Sequence, residues 1–265
     1  FRSFCFALRG EARRVEWARF GPADWEEWQA RATAEGIAPL LYHTLKQAEW
    51  PRGIPFDMQT RLRAAFYSNT SHNLLIYQEL ARALAALRAA EIPAIVLKGA
   101  ALAVSAYSHL GLRPIGDIDL LVPEHSLTRA EKTLRAAGYL PDPEPELRPG
   151  INRLISPEIT LFKERPFGLK LDLHWSLIAG AAWRHRPEVT WFWSRAEWLD
   201  SPPEAMLVLD PTAHLLYLAA HAFLQHGGSR VVLRWLYDLR QLLILQANRI
   251  DWRLVARKDD DFGHD

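Results

Sequence analysis

Apolar residues recur with helical spacing at both ends of the chain and with strand spacing in its middle. From Pro55 to Ala90, Leu62, Ala65, Phe66, Leu74, Tyr77, Leu80, Leu84 and Leu87 keep helical register, and Pro93 closes the run. Further upstream, Ala23-Asp24-Trp25-Glu26-Glu27-Trp28 places acidic residues where a first helical turn favours them. Ile92–Leu97 is a short apolar run that fits a buried strand, and Ala100–Ser108 reads as the helix after it. A second strand is expected at 117–122, then a helix from Glu124 to Ala137 that stops at Gly138. Pro141–Pro149 reads as a loop. Two more strands are expected, Ile159–Lys163 and Leu169–Trp175. The second alternates Leu169, Leu171 and Leu173 against Lys170, Asp172 and His174. From about residue 177 the pattern is mostly helical, strongest over Pro211–Gln225 and Ser229–Asn248, on either side of Gly227-Gly228. This predicts an α+β fold. A helical region over 1–91 and a mostly helical region over 177–265 flank a small mixed-sheet core at 92–176.

Composition narrows the class. The chain has 265 residues, 49% of them hydrophobic, enough for a substantial core. With 32 basic and 31 acidic residues its net charge is +1, which weighs against a long nucleic acid as partner. Cys5 is the single cysteine, so no internal disulfide forms, and a reducing, cytoplasmic setting is expected. No apolar stretch approaches the ~20 residues of a membrane span, so no membrane partner is expected. The chain begins at Phe1 and ends in a charged run, Lys258 to Asp265, and reads as a fragment of a longer one. Of its eleven tryptophans, Trp183, Trp191, Trp193 and Trp198 follow the central strands and read as core and cover.

The candidate chemistry centres on Arg113-Pro114-Ile115-Gly116-Asp117-Ile118-Asp119-Leu120-Leu121-Val122. On a strand Asp117 and Asp119 share a face, about 7 Å apart at a rise of roughly 3.3 Å per residue. Two carboxylates so close resist ionisation without a cation, and a divalent metal removes that conflict. Asp172, on the polar face of another strand, would add a third. Three carboxylates can hold two divalent ions for in-line displacement at phosphorus, with Asp172 also able to take an acceptor's proton. Lys98-Gly99, between a strand and a helix, would offer free backbone N–H groups and a positive charge to phosphate. Arg113 would stabilise a leaving pyrophosphate. Each of these cations, alone, also reads as an ordinary solvated charge. His174 fits either an acceptor-orienting residue or a buried, hydrogen-bonded one. His214, His221 and Asp238 fit a metal site or, more simply, a buried link between helices. Arg230 and Arg234 read as a solvated face, with a phosphate contact as the alternative.

These residues resemble the nucleotidyltransferase superfamily, whose fold DNA polymerase beta, poly(A) polymerases and aminoglycoside nucleotidyltransferases share. That superfamily carries a Gly-containing phosphate turn, Asp-x-Asp on a strand and a third acid on a later strand. Gly99, Asp117 with Asp119, and Asp172 occupy those positions. The chain is most similar to a bacterial family of uncharacterised nucleotidyltransferases. It shares a Leu97-Lys98-Gly99 turn, Arg113, and Asp172-Leu173-His174-Trp175. It is also similar in His221 and in Arg234-Trp235-Leu236-Tyr237-Asp238-Leu239. The resemblance spans roughly residues 70–245. It implies Asp117, Asp119 and Asp172 as catalytic metal ligands, and Lys98, Gly99, Arg113 and Gly116 as nucleotide-binding residues. His174, His221 and Asp238 would be accessory. Mg²⁺ is the implied metal, with Mn²⁺ as a substitute, at a two-metal site. The implied partners are an NTP, ATP among them, and an acceptor hydroxyl on a small molecule or a protein. One departure counts against turnover: Ala100 stands where many relatives have Ser or Gly. The alternatives are therefore a catalytically inactive nucleotide- or partner-binding module on the same fold, and a helical scaffold with incidental acids.

Overall fold

The computed structural model describes residues 1–141, 157–164, 168–177, 189–201, 204–225 and 231–261. Most of the loop expected at Pro141–Pro149, and Trp183, Gly227-Gly228 and Arg230, lie outside the described residues.

The helical beginning forms as its pattern predicts. Helices α1 (Arg2–Leu8), α2 (Pro22–Ala34), α3 (Ala38–Gln47) and α4 (Phe56–Ala89) precede the first strand. Asp24 accepts from the Gly21 N–H at 2.8 Å, so its carboxylate closes the first turn of α2. Trp17, Trp25 and Trp28 pack with ring centroids 5.7 Å apart and make the aromatic centre of this region. The 34-residue α4 is long enough to serve two cores. Its first half (Met58, Leu62, Phe66) packs with the tryptophans, and its second half (Ile76, Leu80, Leu84, Leu87) covers the sheet.

The centre of the chain follows as β1 (Ile95–Val96), α5 (Lys98–Ser105), β2 (Asp117–Leu121), α6 (Leu127–Ala136), β3 (Leu140–Pro141), β4 (Glu158–Lys163) and β5 (Leu169–His174). Gly138, at φ +94°, ends α6 in the left-handed conformation that its position predicted. The last third departs from expectation. After α7 (Val189–Ser194) it supplies two strands, β6 (Ala196–Leu199) and β7 (Met206–Leu209), before α8 (Pro211–Ala220), α9 (Leu233–Leu245) and α10 (Trp252–Asp261). They form a hairpin, and β7 runs parallel to β1, so the sheet extends past residue 176 to seven strands in the order β3-β4-β5-β2-β1-β7-β6. Four-residue runs amid tryptophans and prolines carry too little periodicity to separate strand from helix.

Alternation sorts the sheet's two faces. Ile118, Leu120, Leu171 and Leu173 face α4 and α6 in the larger core, while Ile95, Leu97 and Leu121 pack with Phe192 and Tyr217 on the other side. Asp117 and Asp119 share the Leu121 face of β2. Parallel pairing of β2 with β5 sets Asp119 directly opposite Asp172, and Asp117 opposite Lys170.

The segment leading into β2 is pinned from beneath by Asn73, a fully buried side chain of α4. Its amide donates to the Leu110 carbonyl at 2.7 Å and to the Arg113 carbonyl at 2.8 Å. Removing this donor leaves the buried Arg113 carbonyl and the part-buried Leu110 carbonyl without it, and an unsatisfied buried carbonyl costs about 1–3 kcal/mol. Asn73→Ala is expected to lower the unfolding free energy by about 2 kcal/mol or more in urea denaturation; an unchanged midpoint contradicts the pinning role.

Candidate functional site

Asp117, Asp119 and Asp172 converge. One carboxylate oxygen from each lies within 4.8 Å of the others, and among the described residues this is the one cluster of three or more potential metal ligands. Asp119 and Asp172 are buried at 1% and 3% exposure, so the site lies in the sheet rather than on the surface.

A buried carboxylate needs compensation, and each acid obtains it differently. Asp119 Oδ1 accepts from Lys98 Nζ at 2.7 Å and lies 2.9 Å from His174 Nε2. Burial opposes ionisation of Asp119, but Lys98 and His174 outweigh it and hold the carboxyl well below the usual range. Asp172 accepts from Thr160 Oγ1 at 2.7 Å through one oxygen and from Lys170 Nζ at 2.8 Å through the other. Asp117 is pushed upward by burial and then by the charge of Asp119. Two lysines and a histidine thus sit against these carboxylates.

The supporting residues have supports of their own. Burial would depress Lys98, yet Tyr217 and Asp119 raise it. Lys98 also adopts a φ of +42°, a left-handed conformation uncommon for a side-chain-bearing residue, at the start of α5. Burial depresses His174 as well, but its bonds to Asp119 and Glu158 prevail and raise it. Its Nδ1 lies 2.9 Å from Glu158 Oε2. Tyr217, Glu158, Thr160 and Lys170 were not anticipated as site residues. Thr160 and Lys170 had a signal, since both alternate onto the polar face of their strands. Tyr217 sits in an apolar helix and had none.

Gly99 and Ala100 are buried at the start of α5, and the Tyr77 hydroxyl donates to the Ala100 carbonyl. A Cβ on Gly99 would overlap the guanidinium of Arg113, so this position requires glycine. A Cβ on Gly116 would meet nothing within 4 Å, which leaves open space beside Asp117.

Arg113, for which a leaving pyrophosphate is the expected partner, is 5% exposed and holds protein acceptors. Its NH2 lies 2.9 Å from Asp238 Oδ2, its Nε 3.3 Å from Oδ1, and its NH1 2.7 Å from the Pro114 carbonyl. Tyr107 donates to the same Asp238 at 2.6 Å. Arg113 is thus a strut behind Gly99. Asp238 joins α9 to this strut, and among the described residues it forms no metal cluster with His214 or His221. His221 instead packs edge-on to Trp235, ring centroids 5.2 Å apart.

His214 lies nearby with Nε2 buried and lacking a hydrogen-bond partner. Burial lowers its pKa from 6.5 to about 4. The unfolded chain therefore takes up the proton first, and the stability tied to the neutral ring is whole above about pH 6.5 and is lost as pH falls toward 4. Urea unfolding at pH 7 and pH 4 should show a loss of about 3 kcal/mol that His214→Leu removes; equal pH dependence in both proteins contradicts it.

Two solved structures resemble this fold. A solution structure of the antibiotic-resistance factor ANT(2'')-Ia aligns with TM-score 0.47 and 16% identity, over 72% of this chain and 93% of that one. A crystal structure of an antigenic nucleotidyltransferase-like protein from Paracoccidioides brasiliensis aligns with TM-score 0.42 and 15% identity, over 68% of this chain and 87% of that one. No curated protein matches the sequence. A family of uncharacterised nucleotidyltransferases matches residues 21–261, which include every strand and the acidic cluster. On that match, which spans nearly the whole length, the chain belongs to the uncharacterised nucleotidyltransferase family.

Proposed function

We propose that this protein is a divalent-metal-dependent transferase that moves a nucleoside monophosphate from an NTP to an acceptor hydroxyl. The observation that carries this reading is the convergence of three buried-strand carboxylates within 4.8 Å, in a chain of this family. Hard oxygen donors on a rigid sheet suit Mg²⁺ or Mn²⁺, and Asp117, Asp119 and Asp172 would hold them as a pair. Such ions, when bound, supply charge neutralisation at the phosphates and polarise the acceptor hydroxyl.

The remaining roles fall to the chain itself. Lys98 and Gly99, at the start of α5, bind the triphosphate, and the space beside Gly116 admits it. The acceptor oxygen bonds to the α-phosphorus. The bond from that phosphorus to the bridging oxygen breaks, and pyrophosphate leaves with the electron pair. The acceptor's proton passes to Asp172. His174 is a positioning residue, held by Glu158 and directing Asp119. Asp238 acts through Arg113, and His221 is proposed as accessory. ATP is the expected donor, the acceptor is a small molecule or a protein, and a bacterial cytoplasm is the expected setting.

One observation favours a second reading, a nucleotide-binding module without turnover. Ala100 brings no hydroxyl to the turn, and Lys98 already lies on Asp119.

Calorimetry with ATP tests the proposal. Binding should require Mg²⁺, and Asp119→Asn should weaken it at least a hundredfold while the protein still melts cooperatively. Binding that ignores Mg²⁺, or no binding by the folded wild-type protein, contradicts the transferase reading.

A further inference from the structure

Helix α9 carries Arg234 and Asp238, four residues apart and so on one helical face, and Asp238 binds Arg113 behind Gly99. Its first turn is docked onto the α2–α3 connection. The Leu233 N–H donates to Glu35 Oε2 at 2.7 Å. Beside this contact, Gly36 has φ +66°, and a Cβ there would lie 2.7 Å from Arg234 NH1. The bend leaves room for a guanidinium.

Two arginines meet in this corner, and their circumstances differ. Arg113 spends its fork on Asp238 and on the Pro114 carbonyl. Arg234 does not: among the described residues its buried Nε has no hydrogen-bond partner and its guanidinium forms no ion pair. Burial and the positive charge of Arg113 both work against its cation, while Asp238 and Asp117 partly offset them. Arg234 lies one helical turn before Asp238, whose partner Arg113 stands against Gly99, and this sets it near the turn that opens α5. A half-buried cation beside another cation, with an unfilled donor, is a receptor for an anion. Its planar fork suits phosphate oxygens better than a point charge does.

We propose that Arg234 is a polyphosphate ligand: the guanidinium at the first turn of α9, with its unfilled donor, binds the β- and γ-phosphate end of the nucleotide. This rests on the acidic cluster being a nucleotide site. It gives α9 a direct part in substrate binding, and it assigns to Arg234 the phosphate contact that the motif suggested for Arg113.

The test is calorimetry with inorganic tripolyphosphate, AMP and ATP, each with Mg²⁺, on wild-type protein, Arg234→Met and Arg234→Lys. Arg234→Met should weaken tripolyphosphate and ATP at least tenfold and leave AMP within twofold, with Arg234→Lys between. A strut role would weaken ATP and AMP alike, and that result overturns the proposal. So does undiminished tripolyphosphate binding by Arg234→Met, which leaves the metal-site reading standing. A wild-type protein that binds neither MgATP nor tripolyphosphate fails the metal-site reading itself, and Arg234 with it. If Arg234→Met no longer melts cooperatively, Gly36→Ala displaces the guanidinium from outside the site. The same selective loss is then expected, and unchanged affinity overturns the proposal.

Discussion

A charged carboxylate buried in a sheet is costly, and much of this molecule is arranged around one of them. Asp119 is 1% exposed, in the middle of β2, with a second carboxylate directly across the parallel pair. Left alone, such a group would carry a desolvation penalty of several kcal/mol or neutralise itself by taking a proton. Lys98 reaches it from the start of α5 and His174 from β5. Each helper is held in turn, Lys98 by Tyr217 from α8 and His174 by Glu158 from β4. Two elements, α5 and β5, therefore meet at one oxygen atom, with α8 and β4 behind them. The same arrangement keeps the Asp119 carboxylate ionised despite its burial.

A second buried pair ties the flanking helices to this centre. Arg113 and Asp238 stand 125 residues apart and meet with both partners withdrawn from water. Losing one member of such a pair costs about 3–5 kcal/mol, because the other is left charged and unpaired. Tyr107 closes the network beside the aromatic core of the N-terminal helices, and Asn73 of α4 fixes the backbone of Arg113. The helices on both sides of the sheet thus determine where the Gly99 turn and the Asp117 strand sit.

Much of this was legible in the sequence, and the failures share a cause. Asp117, Asp119 and Asp172 announce themselves because strand alternation is a local property, readable within six residues. The long α4 and the stop at Gly138 are local for the same reason. Arg113 could not be read correctly, since its partner is fixed only by tertiary packing. Tyr217 is one apolar-helix residue among many until α8 lies against β1. Strands β6 and β7 escaped notice because four-residue runs carry no decisive period and β7 becomes a strand by pairing with β1. Arg234 reads as a solvated face from its neighbours in sequence. Gly36, nearly two hundred residues earlier, packs against its guanidinium and covers part of it.

The claim on which the account depends is that the three carboxylates form a cation site, held ready by Lys98 and His174. Electron paramagnetic resonance of Mn²⁺ titrated into the protein with a non-hydrolysable NTP analogue counts bound ions directly. The account predicts two bound ions in the wild-type protein, and a loss of bound Mn²⁺ when Asp117 and Asp172 are both replaced by Asn. Mn²⁺ that stays free with the folded wild-type protein, or that binds the double variant equally well, would contradict it.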